Sequence, residues 1–501
     1  MEGKSSINYR DMDSLRLKNF RCLEDTGMVD FAPLNILVGA NSSGKSSFLK
    51  FFYLLKQTIR ENRRGVFLWN SQNANSVDFR DFSNTVKDGE GSIGVEFIVK
   101  ELPIYGFSGG TSTVVDQVKV SLVISKLDQY FDYLERLVIE FADQKIECSY
   151  DTKRNSVVVV NGTTIGFKNE RRLMCHTNSL LPTFRFLSTE NDDDDCSHAA
   201  KENMRSLLSE NEMKYRPFFR LVRKKFMSKD EFRKRLVSEF ETLDNWEELN
   251  NLYLYYTLNN IIDSINVYIL SFTRRLSYML PLRAFAERYY RIQNSWIEDI
   301  EPDGRNLAMY LFHLDDDDKK SLKKWIKDNF LFEIDIVPSG AGNIELKIRE
   351  KDKQSHNLID VGFGYSQFLP LIVKIWKTIY VDMPNDDVKD GDNKSKKEHV
   401  ILMEQPELHL HPKLQDKLGR VLAQTVRFCS DKKYDVRFLV ETHSEAIINA
   451  IGSEIAVNGL NPNSVNVLLF NAKSEGMDRY VEKAYYSKDG YLMNWPIGFM
   501  S

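Results

Sequence analysis

The first sixty residues alternate apolar and polar segments in an order that predicts strand, loop and helix. Residues 14–25 (SLRLKNFRCLED) alternate apolar and polar side chains, which is typical of a half-buried strand. Residues 30–40 (DFAPLNILVGA) end in a continuous apolar run, which predicts a buried strand. The polar segment NSSGKSS follows, and residues 48–59 (FLKFFYLLKQTI) repeat apolar side chains at helical spacing. The pattern therefore predicts a glycine-containing loop between a buried strand and a helix.

The last hundred residues repeat this alternation. Residues 399–403 (HVILM) predict a buried strand, and residues 411–430 (HPKLQDKLGRVLAQTVRFCS) predict an amphipathic helix. Residues 436–444 (VRFLVETHS) predict another strand, followed by a helix over residues 445–452 (EAIINAIG). Strands that alternate with helices favour an α/β fold with a mostly parallel sheet.

The middle of the chain has a different pattern. Short alternating apolar runs over residues 93–170 predict an antiparallel β meander, whereas residues 171–300 are highly charged and mostly predicted to be helical. More than 300 residues separate Lys45 from a glycine-rich segment near residue 362. We therefore expect a split α/β nucleotide-binding fold with a large helical insertion. The predicted units are 1–92 (N-terminal half), 93–170 (meander), 171–300 (helical insertion) and 301–501 (C-terminal half).

Composition narrows the class of protein. The chain has 501 residues, 42% hydrophobic and 28% charged, which are values of a soluble globular protein. Its net charge of −4 gives no overall attraction to nucleic acid. The five cysteines form no Cys-x-x-Cys pair, which suits a reducing compartment. No apolar run reaches the length of a membrane span, so we expect a cytoplasmic protein without membrane contact.

Several polar segments carry weaker signals. The aspartate runs at 191–198 and 314–320 predict solvated loops or helix starts, since consecutive aspartates do not converge on one ion. The polar segment 382–399 predicts an exposed loop. Residues 214–236 carry ten Lys and Arg residues with aromatic residues between them. This basic segment is interpreted as a solvated helix face or, alternatively, as a surface that contacts phosphates.

The loop after the buried strand fits the phosphate-binding pattern G-x-x-x-x-G-K-[ST] from Gly39 to Ser46, between a strand and a helix as that pattern requires. Backbone N–H groups of such a loop form an anion-binding concavity, and the following helix adds its dipole. Lys45 is expected to reach the β- and γ-phosphates of ATP, and Ser46 is expected to ligate Mg²⁺. The predicted nucleotide contacts are Asn41, Ser42, Ser43, Gly44, Lys45, Ser46 and Ser47.

The strand at 399–403 ends in the segment EQPELHLHP, which carries candidate catalytic residues. Glu404 is expected to hold Mg²⁺ together with Ser46. Gln405 follows, and its amide can orient water but cannot accept a proton. Glu407 is a nearby carboxylate that could assist. His409 and His411 alone could indicate zinc, but no third ligand stands at a familiar spacing.

Two further segments complete the candidate site. His443 follows the strand VRFLVET, from where a histidine can reach a γ-phosphate. In DVGFGYSQFLPL (360–371), a glycine-rich turn precedes an apolar helix, which Ser366 is expected to cap near Gln367. The free N–H groups of this helix start could bind an anion. Because this segment is far from the loop in sequence, it is interpreted as serving the nucleotide of another subunit.

Together these motifs resemble the OLD-like group of ABC-type ATPases, which are related to SMC and RecF proteins. The resemblance is carried by GANSSGKSS, DVGFGYSQFLPL, EQPELHLHP and VETHSE, and by segments 277–290, 302–311 and 490–499. It covers about the first ninety residues and most of 277–501, but not the region between. By this resemblance, Gly364 and Ser366 correspond to the signature that contacts ATP across a subunit interface, and His443 to the switch histidine.

The resemblance implies an ABC-type P-loop ATPase head that binds ATP and Mg²⁺ in a homo-oligomer, either a dimer or a larger ring such as a hexamer. OLD nucleases carry an additional Toprim domain, for which the 57 residues after Ser444 leave too little room. The chain therefore resembles ATPase subunits of phage-defence systems such as PARIS and Septu. These work with a separately encoded effector, a nuclease or toxin, and respond to a phage protein or nucleic acid.

Two other functions stay open at this point. A repair or maintenance ATPase of the RecF or SMC type would bind duplex DNA directly, with the basic segment 214–236 as the candidate contact. A self-contained nuclease would need a cluster of metal-binding carboxylates, which the sequence does not indicate. Salt-dependent DNA binding would favour the repair ATPase, and co-purification with a toxin or nuclease would favour the effector-controlling ATPase.

Replacing Lys45 with alanine is expected to lower ATP affinity clearly, because the substitution removes the flexible cation of the loop. Isothermal titration calorimetry of the two proteins with ATP measures this change. Equal affinities would contradict the assignment of the loop as the nucleotide site.

Overall fold

The structure is a computed structural model of the chain. It describes residues 12–71, 76–89, 91–106, 112–128, 130–152, 156–165, 171–174, 179–186, 225–239, 245–295, 297–350, 354–383, 399–470 and 481–495. The predictions for 191–198, for 384–398 and for most of the basic segment 214–236 therefore concern residues outside the described ones.

The strands follow one another along the described chain in four sheets. They are β1 (Ser14–Phe20), β2 (Leu23–Asp25), β3 (Val29–Asp30), β4 (Leu34–Gly39), β5 (Ile93–Ile104), β6 (Thr113–Lys126), β7 (Asp132–Phe141), β8 (Gln144–Tyr150), β9 (Ser156–Val160), β10 (Thr163–Ile165), β11 (Arg171–Met174), β12 (Thr183–Phe186), β13 (Leu276–Met279), β14 (Tyr290–Arg291), β15 (Phe332–Gly340), β16 (Asn343–Glu350), β17 (His356–Asn357), β18 (His399–Glu404), β19 (Val436–Glu441), β20 (Val465–Phe470), β21 (Val481–Tyr486) and β22 (Leu492–Met493).

The helices lie between and around these sheets. They are α1 (Lys45–Arg60), α2 (Phe82–Thr85), α3 (Lys229–Glu239), α4 (Trp246–Tyr256), α5 (Leu258–Arg274), α6 (Leu307–His313), α7 (Asp316–Phe330), α8 (Phe363–Tyr380), α9 (Pro412–Lys432) and α10 (Glu445–Asn458), with short 3₁₀ turns at Lys87–Gly89, Leu358–Asp360 and Pro462–Ser464.

The central sheet has the strand order β13-β18-β19-β4-β20-β21-β22. Strand β4 pairs in parallel with β19 on one side and β20 on the other, and β18 pairs in parallel with β13 and β19. Every residue of β4 and β20 is buried, as expected for strands covered on both faces. The predicted α/β fold with a split sheet is therefore confirmed, since β4 lies between two strands from the other end of the chain.

Side chains of the central strands alternate between two hydrophobic cores. Leu37 and Leu439 belong to the core that also contains α1 and the meander strands. Ile36 and Val38 belong to the core formed with α8, α9 and α10. This division follows from the two-residue period of a strand, which sends successive side chains to opposite faces. The sheet thus separates the helix after the loop from the C-terminal helices.

The predicted meander is confirmed as an antiparallel sheet with the order β10-β9-β8-β7-β6-β5-β1-β2, and β3 also pairs with β1. Each strand from β5 to β10 pairs with its sequence neighbour. The N-terminal segment 14–25, predicted as one strand, forms β1 and β2, which pair with each other through a turn at Arg21 and Cys22. This turn brings the meander sheet next to the loop after β4.

The described part of the insertion contains the helices α3, α4 and α5, and α5 follows α4 directly. Thr257 ends α4, and its hydroxyl donates to the carbonyl of Tyr253 at 2.9 Å. Range 171–300 also contains strands, since β11 pairs with β12 and β13 joins the central sheet. The aspartate run at 314–320 begins a helix as predicted, because Asp315 caps α7 by accepting from the Asp318 N–H at 2.7 Å.

Among the described residues, no helix combines the length and apolar character that a membrane span needs.

Candidate functional site

The loop between β4 and α1 has the backbone that the phosphate-binding pattern requires. Gly44 precedes α1 with φ 101°, a conformation that favours glycine. A Cβ on Gly44 would lie 2.4 Å from Leu23 Cδ2, and a Cβ on Gly39 would lie 2.4 Å from the carbonyl oxygen of Phe470. Both glycines are therefore fixed by close neighbours from other strands. The loop leaves the N-terminus of the 16-residue helix α1 facing the site, where its dipole favours anions.

The Lys45 side chain lies inside the loop. It is only 3% exposed, and its ammonium donates to the carbonyl oxygens of Gly39 at 2.9 Å and Ala40 at 2.8 Å. Burial lowers the pKa of Lys45, and the negative charge of Glu441 opposes that shift. The loop's own carbonyls therefore hold the cation that is expected to contact phosphates.

Ser46 contacts the carboxylate of Glu441, and the predicted binding of Mg²⁺ by Ser46 and Glu404 stays a prediction. Its hydroxyl donates to Glu441 Oε1 at 2.8 Å, whereas the sequence predicted that it would act together with Glu404. The strand order explains this difference, because β19, which ends at Glu441, lies next to β4 and β18 lies one strand further away. Burial raises the pKa of Glu441, while the Ser46 hydroxyl and the charge of Lys45 oppose the rise.

Glu404 is held by two other residues. Its side chain is 2% exposed, accepts from the Tyr278 hydroxyl at 2.8 Å and lies 3.4 Å from the Lys50 ammonium. Burial raises the pKa of Glu404, and the charge of Lys50 opposes that rise. Lys50 belongs to α1 and Tyr278 to β13, so the elements on either side of β18 orient this carboxylate.

Gln405 lies at the end of β18 in a left-handed conformation, with φ 39°. Its backbone N–H donates to the carbonyl oxygen of Glu441 at 2.9 Å. Non-glycine residues adopt this conformation at a cost of about 1–3 kcal/mol, and such residues are common at functional sites. The residue lines the same cavity as Lys45 and Ser46, so the structure brings this predicted catalytic residue to the loop.

The side chain of Glu407 contacts the backbone of His443. The His443 N–H donates to Glu407 Oε1 at 2.7 Å. Burial raises the pKa of Glu407, and this N–H opposes the rise. His443 is an exposed residue. Partial desolvation of its ring, together with the charge of Lys45, lowers its pKa. The histidine therefore lies within the electrostatic reach of the loop.

Among the described residues of this site, Ser43 Oγ and Glu441 Oε2 are buried oxygen atoms without a hydrogen-bond partner. Buried polar atoms are normally paired, so these atoms indicate a place where a ligand, metal or water completes the contacts. Oxygen donors of this kind suit Mg²⁺, which keeps several waters and is bound through few protein ligands plus substrate phosphates. The residues present therefore fit a magnesium–nucleotide complex, with Ser46 and Glu441 nearest to each other.

The zinc alternative at His409 and His411 gains no support. His411 caps α9, its Nδ1 accepting from the Lys413 N–H at 3.3 Å. His409 packs edge-on against the ring of Phe363, with the ring centroids 4.7 Å apart. Within the described ranges, no group of three or more His, Cys, Asp and Glu side chains could hold a metal ion.

The signature-like segment starts its helix earlier than predicted. Helix α8 begins at Phe363 after Gly362, so Ser366 does not cap it but lies in its first turn. The Ser366 side chain is 5% exposed and its hydroxyl donates to the Phe363 carbonyl at 2.7 Å. The prediction missed this because Gly362, with φ 96°, already breaks the chain direction before the helix. A Cβ on Gly364 would lie 3.0 Å from the His409 carbonyl, which places this helix start beside the segment after β18.

A cavity of about 680 Å³ lies over the loop. Its lining contains Asn41, Ser42, Gly44, Lys45, Ser46, Ser47, Gln405 and Glu441. Neither Gly364 nor Ser366 is among its lining residues. The cavity therefore joins the loop to the ends of β18 and β19, but not to the signature-like helix of the same chain.

Other lining residues carried no signal in the sequence. Arg21 and Cys22 come from the turn between β1 and β2, and Ser83 and Asn84 come from α2. The Arg21 guanidinium lies 5.5 Å from the centre of the Phe79 ring, a cation–π contact that orients it. The sequence does not indicate Arg21 and Cys22 as site residues, because the turn at 21–22 follows an ordinary alternating strand. The fold brings them to the cavity.

Comparison with known proteins identifies the family. The family model described as "AAA ATPase domain" matches residues 12–448, which is most of the chain, so the chain belongs to this family and is a P-loop ATPase. No curated protein matches it.

Solved structures give weaker similarities. The Smc head domain of Pyrococcus furiosus bound to the C-terminal domain of ScpA has a TM-score of 0.34 and 11% identity, covering 94% of this chain and 96% of that chain. The SMC head domain of Thermotoga maritima has a TM-score of 0.33 and 10% identity, covering 92% and 95%. The recombination mediator protein RecF with ATPrS has a TM-score of 0.29 and 12% identity, covering 95% of this chain and 100% of that chain.

Replacing Glu441 with glutamine is expected to raise the Mg²⁺ concentration for half-maximal ATPase activity about tenfold, equivalent to about 1.4 kcal/mol. The substitution keeps an oxygen for the Ser46 hydroxyl but removes the negative charge beside it. Titration of ATPase activity with Mg²⁺ at fixed ATP measures the shift. Glu445→Gln, at an exposed position four residues away, serves as the matched control. Identical magnesium dependence in the two variants would contradict a role of Glu441 at the metal.

Proposed function

We propose that the chain is an oligomeric ATPase that binds ATP and Mg²⁺ at residues 39–47, hydrolyses ATP slowly and thereby controls a separately encoded effector in antiviral defence. The observation that carries the slow turnover is the placement of Gln405. Its backbone lies against Glu441 at the end of β18, and it lines the cavity with Lys45 and Ser46. An amide at this position can orient a water molecule but cannot accept its proton.

Binding of the phosphates rests on Lys45 and on the start of α1. The Lys45 ammonium donates to the carbonyls of Gly39 and Ala40, and because an ammonium has three N–H donors it can also donate to a phosphate. When bound, Mg²⁺ would neutralise part of the negative charge on the β- and γ-phosphates. Ser46 and Glu441 are the residues proposed to hold it, and Glu404, fixed by Lys50 and Tyr278, is the carboxylate at the end of the neighbouring strand.

The nearby carboxylates are already engaged, which supports slow hydrolysis. Glu404 accepts from Tyr278, Glu441 accepts from Ser46, and Glu407 accepts from the His443 N–H. Within the described part of the chain, Glu441 keeps one buried oxygen, Oε2, without a partner. Burial raises the pKa of each of the three carboxyls, which makes each carboxylate a stronger proton acceptor when it is ionised. The slow turnover is therefore proposed from the amide of Gln405 and from the existing contacts of these carboxylates.

The oligomer is proposed because Gly364 and Ser366 do not line the cavity of their own chain. They form the start of α8, an 18-residue helix whose first N–H groups favour an anion. A γ-phosphate from a second copy is an anion of suitable charge. In this arrangement each ATP is bound by the loop of one copy and the α8 start of its neighbour, in a dimer or a larger ring.

The effector and the antiviral role rest on the resemblance of the motifs to ATPase subunits of phage-defence systems. A nuclease or toxin is the proposed effector, and a phage protein or nucleic acid is the proposed trigger. An affinity purification of the full chain from its native host tests this part directly. Recovery of a nuclease or toxin in stoichiometric amount supports it, and recovery of the chain alone from infected and uninfected cells would argue against it.

Replacing Gln405 with glutamate is expected to raise the ATPase rate, by up to the roughly 10²- to 10⁴-fold that general base catalysis provides. The new carboxylate would be a proton acceptor in the cavity beside Lys45 and Ser46. Steady-state phosphate release measures the rate, and Gln405→Asn, which keeps the amide, is the matched control. An unchanged or lower rate for the glutamate variant would show that another group already acts as the base.

Replacing Gly364 with aspartate is expected to abolish ATPase activity and leave ATP binding intact. A carboxylate in the first turn suits the helix but repels a γ-phosphate. Gly364→Ala is the control, because it adds the same Cβ near the His409 carbonyl without the charge. Gly364 is changed instead of Ser366 because Ser366 is buried and a larger residue at that position would disturb the core.

A mixture of Gly364→Asp and Lys45→Ala chains is expected to recover part of the activity. One interface of a mixed pair unites the intact loop of the first variant with the intact α8 start of the second. Activity of the mixture, compared with each variant alone, measures this recovery. Failure of recovery in an oligomer shown by native mass spectrometry to contain both variants would contradict the shared site.

A further inference from the structure

A second cavity, of about 390 Å³, lies behind β18 and apart from the nucleotide cavity. Its walls come from α1, from β13 and from residues 299–302. The side chains that decide its chemistry are Tyr53, Lys56, Arg60, Tyr278, Asp299 and Glu301. Its volume falls within the range of small-molecule sites, which is about 300–1,000 Å³. Apart from Tyr278, which contacts Glu404, these residues have no role in the proposed ATPase site.

Lys56 gives this cavity a buried cation. It is 8% exposed, its ammonium donates to the carbonyl oxygen of Leu276, and the nitrogen lies 5.9 Å from the centre of the Tyr53 ring. An ammonium has three N–H donors, so this single carbonyl leaves donors for a ligand. Burial lowers the pKa of Lys56 to about 7; the positive charges of Arg60 and Lys374 add to this shift and Asp299 opposes it. A buried lysine beside other cations favours an anionic ligand, which would offset their repulsion.

The acidic side chains of the cavity are largely compensated by cations outside it. Asp299 pairs with Lys374 and lies 3.8 Å from the Lys377 ammonium. Burial alone would raise the pKa of Asp299, but these two charges outweigh it and lower the pKa. Glu301 lies 3.2 Å from the guanidinium of Arg305.

Glu61 is the third acidic residue of the lining, and it accepts from the Ser71 hydroxyl at 2.9 Å. With Asp299 paired to lysines of α8 and Glu301 paired to Arg305, Lys56 and Arg60 are the cations that an occupant of the cavity would meet.

The walls of the cavity connect it to three parts of the ATPase site. Helix α1, which carries Lys56, starts at the phosphate-binding loop. The Tyr278 hydroxyl donates to Glu404, and the Tyr278 ring lies 4.9 Å from that of Tyr53. Asp299 is bound by two lysines of α8, the signature-like helix. A molecule in this cavity would therefore touch groups that position the loop, the Glu404 carboxylate and the α8 helix.

We propose that this cavity is a regulatory site for a small oxyanion, a phosphate monoester or a dicarboxylate, which binds between Lys56 and Arg60 and changes the rate of ATP hydrolysis. The Lys56 ammonium and the Arg60 guanidinium hold the anion, and the Tyr53 and Tyr278 rings form an apolar wall beside it. Its influence on the ATPase site passes through the Tyr278 hydroxyl to Glu404. The inference concerns cavity residues outside the nucleotide site and is independent of the antiviral role.

Inorganic phosphate and malonate are the probes, titrated by calorimetry into the full chain carrying Lys45→Ala, so that the phosphate-binding loop contributes little. We expect one binding event, weakened about tenfold or more when Lys56→Met or Arg60→Ala is added, since each substitution removes a charge-assisted hydrogen bond. Lys324→Met, at an exposed lysine of α7, is the matched control and is expected to bind as before. Arg60 is exposed, so its variant tests the site even if the change at buried Lys56 impairs folding.

Tighter binding of phosphate marks a phosphorylated ligand, and tighter binding of malonate marks a dicarboxylate; both support the site. Absence of binding, or binding that neither substitution weakens, would overturn it. The regulatory part is tested with malonate on the otherwise unmodified ATPase at fixed free Mg²⁺. We expect a rate change of at least about twofold that disappears in Arg60→Ala. Binding without any change in rate would overturn the regulatory role while leaving the nucleotide site untouched.

Discussion

The parallel pairing of β4 with β19 and β20 is the constraint on which the site depends. It joins a strand at residues 34–39 to strands that follow about four hundred residues later. The Asn35 side chain reinforces this joint, since its amide donates to the Phe438 carbonyl at 3.1 Å and its oxygen accepts from the Asn466 amide at 3.2 Å. Because the loop starts at the end of β4, this pairing alone brings Ser46 to Glu441.

Burial of charge is the second organising feature. Lys45, Glu404 and Glu441 are each at most 3% exposed. Burial lowers the pKa of Lys45 and raises the pKa of Glu404 and Glu441, which in each case favours the uncharged form. Lys50 and Tyr278 contact Glu404, and the Ser46 hydroxyl contacts Glu441. A nucleotide with its metal would add both a negative and a positive partner at this place, which suits a site made of buried charges.

The sequence predicted those parts of the site that depend on local pattern. The loop at 39–46, the buried strand before Glu404 and the helix start at His411 and Pro412 are found where the pattern placed them. The contact between Ser46 and Glu441 was not predicted, because strand order in a sheet cannot be read from the chain. The same is true of the cavity around Lys56, whose walls come from three separate segments. Ser366 was misplaced by one helical turn, because Gly362 rather than the serine sets the start of α8.

The central claim is that one ATP site is assembled from the loop at 39–47, the ends of β18 and β19, and the α8 start of a second copy. The most direct measurement is an experimental structure of the full chain with Mg²⁺ and a hydrolysis-resistant ATP analogue. The account predicts the phosphates on the backbone of the loop, Ser46 and Glu441 beside the metal, and Gly364 of a neighbouring copy facing the γ-phosphate. A nucleotide bound elsewhere, or bound at the loop with no second copy across it, would contradict the account.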